Sequence, residues 1–265
     1  MSFNGLIDTH VHFDGLGLED FLPVFKSAYE NGVYKIIAVG SAPEANRLAL
    51  KLANAYPNKV RATAGYDRNQ AECQYSLTEL SKLLARPETV AVGEVGLDFH
   101  YNRQTRKEQL TLFQEMLDMA VTHHLPVIVH SREAETDTIT LLRNHTSAST
   151  LSVKNPGVLH SFTGTEKFAH ELLDIGFMIG SSGILTFRNA GALREVAKKI
   201  PDDKLLIETD SPYLAPEPYR GMPNQPAFLK YIAKVMADIR HESLEKITAL
   251  TTYNAEKLFK REANE

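Results

Sequence analysis

Eight short apolar runs, each followed by a stretch of helical period, fix what this chain can fold into. The runs are Leu6 to Phe13, Lys35 to Gly40, Arg61 to Tyr66, Val90 to Asp98, Pro126 to Ser131, Gly157 to Phe162, Phe177 to Gly183 and Leu205 to Asp210. They are rich in Val, Ile and Leu, the composition of strands covered on both faces. Between them lie helical patterns such as Ala45 to Ala55 and Glu108 to His123. The second carries Leu112, Met116, Met119 and Ala120 on one stripe. Gly32, Pro57, Pro126 and Gly176 mark junctions. Ser76-Leu-Thr-Glu79 has the form of a capping box. Two further helical stretches, Asn224 to Ile239 and Ser243 to Lys260, follow the eighth run.

Alternation of this kind requires a parallel sheet. Closed on itself it is a (β/α)8 TIM barrel; an open doubly wound sheet is the alternative. No Gly-x-Gly-x-x-Gly follows the first run, which removes the usual mark of a dinucleotide fold. The 265 residues suit one barrel of about 250 residues, and no linker or composition break divides them. Residues 1–265 therefore read as a single domain.

The formal charge of −4 and pI near 6.2 exclude a general electrostatic pull on nucleic acid. They do not exclude local positive charge from a metal. Cys73 is the one cysteine, so no internal disulfide forms, and a buried or inert thiol in a reducing compartment is expected. Met1 to Gly5 show neither the basic nor the apolar part of a signal peptide. No apolar run approaches the ~18 residues of a membrane span. A cytoplasmic monomer without membrane contact or an obligate protein partner is expected.

In a barrel, chemistry sits at the C-terminal ends of the strands. Metal-type residues collect there. His10 and His12 end the first run, two apart and so on one face. Glu94 lies in the fourth, His130 ends the fifth, His160 is late in the sixth and Asp210 ends the eighth. A lone His on an apolar strand is most often a hydrogen-bonded core residue. A carboxylate there is rarer, because a buried charge needs a partner or a metal. Six such residues exceed what one zinc ion takes, usually three protein ligands and water. They suit two divalent ions about 3.5–4 Å apart, an arrangement known for phosphoester cleavage. Glu94 has two oxygens and is the natural bridge. His10, His12 and Asp210 complete one position, and His130 and His160 the other. Asp210 is also placed to take a proton from water, so Glu94 and Asp210 are the catalytic candidates. The residue types admit Zn, Mn, Fe or Co, and Mg with more water.

Other residues are candidates at the rim. Arg132, two after His130, can hold a phosphodiester or pair with a rim acid. Arg103, Arg106 and Lys107 form a solvated helix face or a small phosphate-facing patch, and Arg188 and Arg220 sit on loops of the same rim. Phe99, Tyr101, Phe162 and Tyr213 can stack bases or anchor loops. Glu208 and Asp98 can orient ligand histidines or make buried hydrogen bonds. His123, His124, His145, His170 and His241 read as surface residues, and His100 as a residue that can line the site.

Five motifs, in order along nearly the whole chain, resemble the TatD family of metal-dependent hydrolases. They are Asp8-Thr-His-Val-His-Phe-Asp14, Gly93-Glu-Val-Gly-Leu-Asp98, His130-Ser-Arg-Glu-Ala134, His160-Ser-Phe-Thr-Gly164 and Glu208-Thr-Asp-Ser-Pro-Tyr-Leu214. Gly221-Met-Pro-Asn-Gln-Pro226 resembles the YjjV-like branch. The resemblance implies an amidohydrolase-type barrel, a divalent metal centre and deoxyribonuclease activity on single-stranded DNA, 3′ to 5′. It carries the family's metal ligands onto His10, His12, Glu94, His130, His160 and Asp210. Two departures stand out. The family's Gly-x-His-Pro-His after strand three is Gly65-Tyr-Asp-Arg-Asn69 here, so Asp67 replaces a histidine near the scissile group. In the loop after strand eight, Gln225 follows Asn224 where the family has Arg or Glu. Asp67, Asn224, Arg132 and Tyr213 are the substrate-binding candidates. Asp67 and the acidic charge keep an amide or ester hydrolase open as the alternative, such as a D-aminoacyl-tRNA deacylase or a lactonase-like enzyme.

Overall fold

A computed structural model describes residues 5–101, 103–148 and 156–261. Its strands are β1 (Leu6–Val11), β2 (Val33–Ala38), β3 (Val60–Ala64), β4 (Thr89–Asp98), β5 (Val127–Arg132), β6 (Gly157–Leu159), β7 (Met178–Ser181) and β8 (Leu205–Ile207). They pair in chain order, every pair parallel. The helices are α1 (Leu22–Glu30), α2 (Pro43–Ala55), α3 (Leu77–Leu84), α4 (Arg106–His123), α5 (Glu135–Ala148), α6 (Glu166–Asp174), α7 (Gly191–Lys199), α8 (Leu229–Arg240) and α9 (Leu244–Leu258). The chain just after β8 meets the end of β1 through a parallel bridge of Val11 and Ser211, where the His12 amide donates to Ser211 O (2.8 Å) and the Asp210 amide to His10 O (3.0 Å). The sheet is therefore closed, and the TIM barrel forms rather than the open sheet.

Strands buried on both faces divide the core in two. Inside the barrel, Ile7, Ile37, Ala91, Ile128, Val158, Met178 and Leu206 form one cluster. Ala255, Leu258 and Phe259, at the end of α9, close it from the N-terminal side of the strands. Outside, Val11, Val95, Val129 and Ile179 pack with helix residues such as Leu80, Phe113, Leu142 and Met236. A cavity of about 510 Å³ opens at the N-terminal end, beside Ile7, Lys35, Arg61, Phe259 and Arg261. The chemistry lies at the other end.

Two register shifts aim the site. In an unbroken strand, residues three apart face opposite ways. Ile7 and His10 are three apart, as are Ala91 and Glu94, yet in each pair both face inward. The ladders shift between Asp8 and Val11 on β1 and between Val92 and Val95 on β4. Each irregularity inverts the parity and turns the polar residue inward. On β5, regular alternation is enough, with Ile128 and His130 two apart. At Gly96 (φ 128°) a Cβ would sit 2.1 Å from the His130 carbonyl oxygen, so only glycine allows this approach of β4 to β5.

Several boundaries differ from the sequence reading. β1, β6 and β8 end early, which leaves His12, His160 and Asp210 beyond their ladders. Ser161 (φ 44°) and Asp210 (φ 59°) take left-handed backbone, which cannot continue a strand. The helix read from Asn224 begins at Leu229, after a 3-10 turn over Pro226–Phe228. Ser76 does cap α3, its hydroxyl accepting from the Glu79 amide at 3.2 Å. Cys73 is exposed rather than buried. His145, read as a surface residue, is buried on α5, and burial pushes its imidazole below the usual range. Met1 to Asn4, read for a targeting signal, lie outside the described residues. Among the described residues no helix is long and apolar enough to cross a membrane.

Candidate metal centre

Loops and strand ends from β1, β4, β5, β6 and β8 bring all six sequence-predicted ligands together. Glu94 lies at the middle, 2% exposed. Its Oε2 is 3.1 Å from His12 Nε2 and 3.4 Å from His10 Nε2. Its Oε1 is 3.4 Å from both His130 Nδ1 and His160 Nε2. One carboxylate thus divides its oxygens between two histidine pairs. Asp210 Oδ1 joins the first pair, 3.6 Å from His12 Nε2 and 3.8 Å from His10 Nε2.

The donor chemistry fits divalent cations. Within the pairs, His10 Nε2 and His12 Nε2 are 3.1 Å apart, and His130 Nδ1 and His160 Nε2 are 3.3 Å apart. Facing imidazole lone pairs repel unless a proton or a cation lies between them. Three overlapping groups of donors lie close enough to share an ion: His10, His12 and Glu94; His10, His160 and Asp210; and Glu94, His130 and His160. Two-nitrogen, one-oxygen sets suit first-row transition metals.

Burial and mutual charge set the protonation. Burial pushes His10 down to about 3, helped by His160 stacked on it at 4.0 Å. His10 is therefore neutral, with a free lone pair. Burial opposes charge on His160 too, but Glu94 and Glu208 on either side overcome it and raise its pKa to about 10. Burial also works against ionised Glu94, yet His160 and Arg68 hold it well below its usual range. Asp210 is pushed up to about 6 by burial, with the neighbouring histidines opposing.

A surrounding ring fixes the candidate ligands. Asp98 Oδ2 is 3.1 Å from His130 Nε2, and Asp98 Oδ1 accepts from the His100 and Tyr101 amides at 3.0 and 3.1 Å. Glu208 lies 3.6 Å from His160 Nδ1 and accepts from the Ser161 amide. Asp8, fully buried, accepts from Thr209 N (2.9 Å) and Thr209 Oγ1 (2.6 Å), which ties β1 to the chain after β8.

The substrate candidates are scattered. Tyr213 is exposed at the mouth, its ring 5.9 Å from that of His12. Arg132 is exposed, its guanidinium 4.7 Å above the exposed Tyr101 ring. Phe99 and Phe162 are buried, so of the four rim aromatics only Tyr101 and Tyr213 are open to a base. Asn224 is buried, and its amide donates to Thr209 O (2.7 Å) and Tyr213 O (2.6 Å), fixing the Asp210 loop. Asp67 caps its own turn, accepting from Asn69 N and Nδ2, both at 2.9 Å, and lies 3.3 Å from Arg68 Nη1. Arg106 pairs with Asp137, and Arg220 lies over the Phe187 ring. His100 is bonded to Glu133 at 2.6 Å and is exposed. Sequence reasoning missed Arg68, which donates to Glu94 Oε1 at 2.6 Å. Its place just past β3, at the catalytic end of a barrel strand, was the available signal.

The family model described as TatD related DNase matches residues 7–260. The uncharacterized metal-dependent hydrolase YcfH of Escherichia coli (strain K12) is 38% identical, covering 98% of this chain and 97% of its own. The protein named 3′-5′ ssDNA/RNA exonuclease TatD of Citrobacter rodentium (strain ICC168) is 36% identical over 91% of this chain and 92% of its own. The crystal structure of the TatD homolog YjjV from Escherichia coli K12 superposes with a TM-score of 0.85 at 30% identity, covering 96% of this chain and 97% of that one. With its barrel, its buried histidine and carboxylate cluster and its match over nearly the full length, this chain belongs to the TatD family of metal-dependent hydrolases.

Proposed function

We propose that this protein is a two-metal phosphodiesterase that degrades single-stranded DNA from the 3′ end. The observation that carries this reading is Glu94, whose two oxygens face two separate histidine pairs. Divalent ions bound there supply Lewis-acid stabilisation of a phosphate and a more acidic water. His10, His12, Asp210 and Glu94 would hold one ion, and His130, His160 and Glu94 the other. Asp210, a carboxylate beside the centre, is placed to accept a proton from the attacking water. Tyr101 and Tyr213 stand exposed on the rim where unstacked bases can lie on them. Arg132, over Tyr101, offers a guanidinium to a flanking phosphate. The exonuclease name of the Citrobacter relative supports the same substrate class.

The test is degradation of end-labelled single-stranded DNA by metal-reconstituted protein, beside Asp210→Asn. Metal-dependent shortening from the 3′ end that is lost in the variant is the expected result. Intact DNA in the presence of two bound ions would overturn the nuclease reading and favour an ester or amide substrate.

A further inference from the structure

The two halves of the cluster are not equally provided with negative charge. The His10/His12 half faces two carboxylates, Glu94 through Oε2 and Asp210 through Oδ1. Asp210 lies farther from the His130/His160 half, though still within 4.8 Å of a His160 nitrogen, and that half has one carboxylate oxygen within 4 Å of its facing nitrogens, Glu94 Oε1. That same oxygen accepts from Arg68 Nη1 at 2.6 Å. Asp98 and Glu208 approach the far nitrogens of His130 and His160 and so orient the rings rather than face an ion.

A guanidinium cannot shed its charge in a protein. An ion held at Glu94 Oε1 at the usual ~2.0–2.2 Å would share that atom with Arg68. The two positive groups would then lie within about 5 Å of each other, in a place where water screens poorly. A second carboxylate also draws Arg68 toward this position. Asp67 Oδ2 lies 3.3 Å from the same Nη1, and Asp67 is itself held by Asn69. The Arg68 side chain is 21% exposed and emerges from the loop after β3, against the centre.

We propose that Arg68 acts as a built-in cation at Glu94 Oε1 and divides the centre into a tight position at His10, His12 and Asp210 and a weak one at His130 and His160. The inference rests on the two-ion reading above. It makes Arg68 a positioning residue that sets how much free metal fills the second position.

The test is calorimetric titration of metal-stripped full-length protein with Mn²⁺, comparing wild type with Arg68→Gln and Arg68→Lys. Electron paramagnetic resonance follows the same samples, and the unfolding midpoint of each confirms folding. Wild type and Arg68→Lys should take up two ions in steps separated at least tenfold, with the signal of isolated Mn²⁺ at one equivalent. Arg68→Gln should tighten the weaker step at least tenfold and show spin-coupled pairs at lower metal. Unchanged steps in Arg68→Gln, or weakening of both together, would overturn the role of Arg68 while leaving two ions in place. A single ion in all three proteins would overturn both the role and the two-ion reading. DNA cleavage plays no part in the readout, so failure of the nuclease reading is scored separately.

Discussion

Replacing Asp98 by Asn tests how the centre is held. Ionised Asp98 accepts a hydrogen bond at Oδ2 from His130 Nε2–H (3.1 Å), which leaves His130 Nδ1 as the lone-pair donor facing Glu94 and His160. The carboxylate is well suited to this. Burial alone would raise its pKa, but the bond to His130 and the Tyr101 amide hold it down near 2. Asn is isosteric and its oxygen can keep the bonds from the His100 and Tyr101 amides. Its NH2 group then faces His130 Nε2, which must become an acceptor, and the ring proton moves to Nδ1. That tautomer cannot bind an ion through Nδ1. Loss of a hydrogen bond to a charged group is worth about 1.5–3 kcal/mol. This matches the ~10–100-fold loss of metal affinity typical when a ligand histidine loses its orienting carboxylate. The weaker of two binding steps in a metal titration should fall by about that factor, with the tighter step nearly unchanged. A folded Asp98→Asn protein whose weaker step moves less than about threefold would refute the orientation argument.

Three further outcomes are expected. Burial pushes Asp8 up to about 7, against the Thr209 bonds that favour its charge. Between about pH 4 and 7 the unfolded chain ionises Asp8 while the fold keeps it protonated, so this group's contribution to stability falls as pH rises, by on the order of 4 kcal/mol. Asp8→Asn should flatten that slope in denaturant unfolding of the chelated protein; parallel curves from pH 4 to 7 would refute it. Asn224→Ala leaves the Thr209 and Tyr213 carbonyls without their donor, and should lower unfolding free energy by about 2–4 kcal/mol and loosen metal at the Asp210 side. Chelation should lower the thermal midpoint, because an ion at a hundred times its dissociation constant stabilises by about 2.7 kcal/mol. An unchanged midpoint with proven metal loss would count against ions at this cluster.

The barrel was legible in the chain because its signals are local. Strand composition, helical period and breakers such as Gly32 and Pro57 depend on near neighbours, and their alternation admits few topologies. The six-residue cluster was legible for a related reason. Buried charge is unfavourable without a partner, so a Glu or Asp on an apolar strand marks a purpose wherever the strand lies. Parity was not legible. Two-residue alternation from Ile7 and Ala91 points His10 and Glu94 to the wrong side, and only the shifts in β1 and β4 against their neighbours turn them inward. Nor does spacing show that Asn224 is spent on two carbonyls, that Phe99 and Phe162 are buried while Tyr101 and Tyr213 are not, or that Arg68 lands on Glu94. Each of these depends on which distant segment packs alongside. The sequence determined which residues stand at the catalytic end of the barrel; contacts between strands far apart in the chain decided where each of them points.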